Sequence, residues 1–135
     1  MSSKKHLKEK ENSICISIDQ WYKNQKINQL INLIKIDTEG FELNVLKSAK
    51  NLVKSQKPII YAEINRVSLS RLGQTMEDME TFLDELGYHF FRNSGKRNSK
   101  SDEYNICRLQ RLRQGGDFYD LLAVHPDHPR YPNLN

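Results

Sequence analysis

The sequence predicts an α/β fold in which a parallel strand–helix–strand unit is followed by an antiparallel pair of terminal strands. Three observations predict it. First, Leu33-Ile34-Lys35-Ile36-Asp37 and Ile59-Ile60-Tyr61-Ala62-Glu63-Ile64 are β-rich and nearly continuous in apolar residues, as in strands covered on both faces. Second, Val45, Leu46, Ala49, Leu52 and Val53 recur between them at helical spacing. A strand, a helix and a strand in this order make the two strands parallel neighbours with a right-handed crossover. Third, Phe118 to Val124 forms a final apolar strand ahead of a proline-rich tail.

Each element has a local cause. Residues 1–13 are lysine-rich and without periodicity, and are expected to be a disordered basic tail. Ile14, Ile16 and Ile18 alternate with Cys15 and Ser17, a short strand pattern. Asp19 is placed to cap a short helix holding Trp21 and Tyr22. Gly40 marks the turn after residues 33–37. The helix from Phe41 to Val53 carries Glu42 in its first turn and Lys50 and Lys54 near its end, complementing its dipole. Pro58 opens the next strand. Asn65 to Thr75 reads as a polar loop. Met76, Met79, Phe82, Leu83 and Leu86 mark a second helix, with Glu77, Asp78, Glu80, Asp84 and Glu85 on its other face, and Gly87 ends it. Tyr88 to Arg92 is a strand, residues 93–102 a basic loop, and residues 104–109 a strand or an extension. Gly115-Gly116 is a turn before the last strand. Three prolines keep residues 126–135 irregular. The expected organisation is therefore a tail (1–13), one domain (14–125) and an irregular tail (126–135).

Composition excludes several classes. The 135 residues suffice for one domain with a real core. A net charge of +4 demands neither a nucleic-acid nor a membrane partner. Cys15 and Cys107 are too few for a disulfide framework. No apolar run approaches about 18 residues, and no apolar stretch follows the basic N-terminus as in a signal peptide. A cytoplasmic protein is expected. The basic residues Arg92, Lys96, Arg97, Lys100, Arg108, Arg111 and Arg113 read as a solvated region. His125 and His128 flank Asp127 in a loose tail, so no metal is assigned there. His89 reads as packing or surface, and Trp21, Met76 and Met79 as core.

Open α/β sheets bind ligands beyond the carboxyl ends of their parallel strands. There the sequence puts Asp37, Thr38, Glu39 and Gly40 after the first strand, and Glu63, Ile64 and Asn65 at the end of the second. Neighbouring strands bring these groups across one inter-strand spacing of about 5 Å. Three carboxylates and an amide would then line one cleft. Such a cluster suits general-base work, or a hard divalent cation bound through oxygen. Gly40 lets backbone approach a ligand and leaves N–H groups free at a helix start. The competing reading makes Asp37 a helix cap, Glu39 a solvated residue and Glu42 a partner of the dipole.

Residues 33–43 (Leu-Ile-Lys-Ile-Asp-Thr-Glu-Gly-Phe-Glu-Leu), then Val45-Leu46-Lys47, Lys57-Pro58-Ile59-Ile60 and Glu63-Ile64, resemble the FkbM family of S-adenosylmethionine-dependent methyltransferases. In that family a KIDVEG-x-E segment, a VLKGA helix and a P-x-I-x-x-E strand follow one another at this spacing. Ser17-Ile18-Asp19 is similar to the family's upstream LDD segment, and Asp120 to Val124 to its last strand. The resemblance implies a partial class I methyltransferase (Rossmann-like) sheet, with residues 33–37 as its fourth strand and 59–64 as its fifth. It implies S-adenosylmethionine as cofactor and methyl transfer to a hydroxyl oxygen of a small molecule or glycan. Asp37 and Glu39 fall on its catalytic positions, Gly40 and Asp37 face the cofactor, and Glu63 and Asn65 face the substrate. Some small-molecule O-methyltransferases of this fold hold magnesium with an Asp after strand four and an Asp-Asn pair after strand five, an arrangement to which Asp37, Glu63 and Asn65 are similar. The family's glycine-rich cofactor turn has no counterpart here, since no glycine precedes Gly40. The chain is expected to be a C-terminal half. A non-catalytic module pairing through its exposed sheet edge, with a second copy or a complementing N-terminal half, is the alternative.

Overall fold

The computed structural model describes residues 14–94 and 105–132. The expected N-terminal tail (1–13) and most of the basic loop lie outside the described residues. One five-stranded sheet organises the chain. β1 (Leu33–Ile36) lies parallel to β2 (Ile59–Asn65), with Leu33 opposite Ile59 and Ile36 opposite Ala62. β3 (His89–Asn93) and β4 (Ile106–Leu109) form an antiparallel hairpin. β5 (Phe118–Val124) returns to lie between β2 and β3, antiparallel to both, which gives the order β1-β2-β5-β3-β4. The parallel unit and the antiparallel strands that follow are as the sequence predicts. No helix among the described residues is long and apolar enough to cross a membrane.

The helices depart from the sequence pattern where tertiary contacts overrule it. Residues 14–18 form no strand. Ser17 caps α1 (Ile18–Gln25) by accepting a hydrogen bond from the Gln20 amide at 3.2 Å. Asp19 does not cap its own helix. The expected helix 41–53 breaks at Ala49 into α2 (Glu42–Ser48) and α3 (Lys50–Gln56). Asp19 caps the N–H groups that this break frees, accepting from Asn51 and Leu52, each at 2.9 Å. The expected loop after β2 holds α4 (Arg66–Arg71), too short for a hydrophobic period to reveal, with Asn65 as its cap. α5 (Met76–Glu85) starts with a Thr75–Asp78 capping box. Its Glu80 is not on the solvated face: only 7% exposed, it accepts from the Arg111 guanidinium at 2.6 Å and the Leu112 amide at 2.7 Å.

The core lies on one face of the sheet. Ile60, Ala62 and Ile64 of β2 are buried against Leu43, Leu46, Leu69 and Leu83, while Ile59, Tyr61 and Glu63 between them are half-buried. β1 is therefore not covered on both faces: Leu33 is 58% exposed and Lys35 is exposed. Met76 and Met79 are core, as expected, but Trp21 is 45% exposed.

The tail is irregular but not loose. Asp127 forms an ion pair with Lys57, the His125 ring meets Tyr88 edge-on, and Tyr131 meets the rings of His89 and Phe91. His89 and His125 both titrate below the ordinary histidine range, chiefly because burial disfavours the charged ring. Neighbouring cations add to this, Arg108 at His89 and Lys57 at His125. A histidine pKa lowered by folding adds stability that is full above the unfolded value of about 6.5 and is lost as pH falls toward the folded value. The melting temperature should therefore drop as pH falls from about 7 to about 5, and His125→Asn should flatten that dependence. A melting temperature constant over the range would contradict this account.

Candidate functional site

The loop that leaves β1 is built around one buried carboxylate. Glu42, the first residue of α2, is 2% exposed. Its Oε1 accepts from the Thr38 amide at 3.0 Å, the Thr38 hydroxyl at 3.2 Å and the Gly40 amide at 3.2 Å. Phe41 offers no side-chain cap, so Glu42 reaches back to hold the turn ahead of its own helix. Its Oε2 is buried without a hydrogen-bond partner among the described residues. The turn it holds is tight: Glu39 takes a left-handed φ of 54° and Gly40 a φ of 107°.

Gly40 is required for a second reason. A Cβ there would lie 2.5 Å from the carbonyl oxygen of Ser68 in α4. Asn65 in turn fixes the start of α4, its Oδ1 accepting from the Ser68 amide at 3.1 Å. Thus Glu42 holds the loop, Gly40 lets it seat on α4, and Asn65 sets α4 at the end of β2.

This scaffold brings the expected carboxylates together. Oxygens of Asp37, Glu39 and Glu63 lie within 4.8 Å of one another, with Asp37 and Glu39 exposed and Glu63 half-buried. A cavity of about 150 Å³ beside them is lined by Lys35, Ile36, Asp37, Tyr61, Glu63 and Asp120. The Lys35 ammonium sits 3.7 Å from Asp37, an exposed pair of small energetic weight. Carboxylates at this spacing can accept a hydrogen bond or a proton from a hydroxyl, and their oxygens are of the kind a hard divalent cation takes.

Two expected residues serve the fold as well. Asn65 spends its carbonyl oxygen on the α4 cap. The close approach expected of Gly40 toward a ligand is made to Ser68, and its N–H, expected to be free, is bound by Glu42. The sequence reading gave Glu42 to the helix dipole and missed its hold on the loop, although it is the second glutamate of the Asp37–Glu42 motif. It also missed Asp120, which faces Glu63 only through the β2–β5 register.

A family model described as Methyltransferase FkbM domain matches residues 2–90. The chain belongs to this methyltransferase family. The match takes in β1, β2, the Asp37–Glu42 loop and α5, while β4, β5 and the tail lie beyond it. No curated protein and no solved structure matches the chain. S-adenosylmethionine, the cofactor this family implies, needs a pocket on the scale of roughly 300–1,000 Å³. The cavity at Asp37 is well below that, so the described residues do not by themselves fit the cofactor there.

Removing the carboxylate that holds the loop should be costly. Glu42→Ala leaves the Thr38 and Gly40 amides without their acceptor and should destabilise the chain by about 1–3 kcal/mol. Gly40→Ala should also destabilise, because it meets both an unfavourable φ and the Ser68 carbonyl. Urea unfolding of both variants measures this, and wild-type midpoints would refute the role given to the loop.

Proposed function

We propose that this chain supplies the acceptor side of S-adenosylmethionine-dependent O-methyl transfer to a hydroxyl of a small molecule or glycan. The observation that carries the reading is the convergence of Asp37, Glu39 and Glu63 at the carboxyl ends of two parallel strands, in a chain of the FkbM methyltransferase family. The acceptor hydroxyl donates to Asp37 or Glu39, which orients it and takes its proton as the oxygen becomes the nucleophile. Glu63 and the Asn65 amide hold the acceptor's other polar groups.

Asp37→Asn and Glu39→Gln should each lower methyl transfer by roughly 100- to 10,000-fold while leaving the melting temperature unchanged. Mass spectrometry of hydroxylated acceptors incubated with S-adenosylmethionine reads the first effect. Undiminished turnover in both variants would remove these carboxylates from the mechanism. Calorimetry with S-adenosylmethionine separately reports whether the chain binds the donor alone.

A second reading is favoured by one observation: β1 pairs only with β2 among the described residues, and its first residue, Leu33, is exposed. An open apolar parallel edge is a template for another strand. Under this reading the chain is an interaction module that pairs there with a second copy or with a complementing N-terminal half. Gel filtration should then show a dimer that Ile34→Lys disrupts, whereas a monomer at high concentration would count against it.

A further inference from the structure

A second cavity, of about 420 Å³, lies beyond the same end of the sheet and is lined in part by Arg66, Ser70, Glu77, Arg113 and Asp117. Arg66 is the first residue after β2, and its amide donates to the Asp117 carbonyl just ahead of β5 at 2.9 Å. The cavity therefore opens where β2 ends and β5 begins. Three residues back on the same two strands, Glu63 faces Asp120. Side chains alternate between faces along a strand, so Glu63 and Asp120 look away from the helix-covered face on which this cavity lies.

The donors and acceptors of this cavity are mixed in a particular way. The Arg66 guanidinium is engaged with Asp117 at 3.3 Å. The Arg113 side chain, carried by the 3₁₀ helix Leu112–Gly115, enters no ion pair among the described residues. Its planar fork matches a carboxylate or a phosphate. Asp117, Glu77 and the Ser70 oxygen accept hydrogen bonds and so suit hydroxyl groups. The volume is that of a small-molecule site.

We propose that this cavity binds a small hydroxylated anion, a sugar acid or a sugar phosphate, with Arg113 on its anionic group and Arg66 beside it. The cavity shares no lining residue with the acidic cluster, so the proposal stands apart from the methyl-transfer reading.

Calorimetry of the whole chain with glucuronate, with glycerol phosphate and with neutral glucose tests this directly. At least one anion should bind, and glucose should bind at least about ten-fold more weakly. Arg113→Ala should weaken the anion by about ten-fold or more. Which anion binds tells carboxylate from phosphate recognition. No binding of either anion, glucose binding as tightly, or an unchanged affinity in Arg113→Ala would overturn the proposal.

Discussion

The Glu42 carboxylate sets the geometry at the end of β1. A buried carboxylate is tolerated only where hydrogen bonds replace its water, and here three donors of the Thr38–Gly40 loop do so on one oxygen. The same bonds fix the loop in a conformation that an unsupported chain rarely adopts, with Glu39 left-handed. Asp37 and Glu39 are thereby aimed at Glu63 rather than scattered into solvent. A side chain that faces no ligand cavity thus determines the arrangement of those that do.

Around this loop the helices cover one face of the sheet. α4 is held at the end of β2 by Asn65 and receives Gly40, while Asp19 ties α1 to the start of α3. The other face is covered more thinly, in part by the tail, whose His125 and Tyr131 pack on the aromatic residues around β3. The insertion of β5 between β2 and β3 has a direct chemical consequence. It sets Asp120 opposite Glu63 and Asp117 beside Arg66, so one ladder carries both the acidic cluster and the arginine-lined cavity.

Membership of the FkbM methyltransferase family and the carboxylate cluster bear on different parts of the chemistry. The family gives the reaction class, and the cluster is where we propose that an acceptor hydroxyl is held. The cavity at Asp37 among the described residues is smaller than a methyl donor needs.

Much of the fold was legible because it rests on local periodicity. The apolar runs at 33–36 and 59–64, the spacing of Met76, Met79 and Leu83, and the final strand were read at nearly their true bounds. The acidic trio was legible too, since parallel strands joined by a helix must bring their carboxyl ends together. Other features depend on partners distant in sequence. Ala49 breaks a helix whose new end is capped by Asp19, some thirty residues earlier. α4 is too short to show a period, and Glu80 is drawn inside by Arg111 and Leu112. The sequence by itself determined the order of strands and helices and which carboxylates meet, because backbone periodicity and crossover handedness are local rules. Only the tertiary structure decided that Glu42 holds the loop, that Gly40 serves α4, and that Asp120 joins the site. Those facts depend on which buried polar groups find partners across the fold.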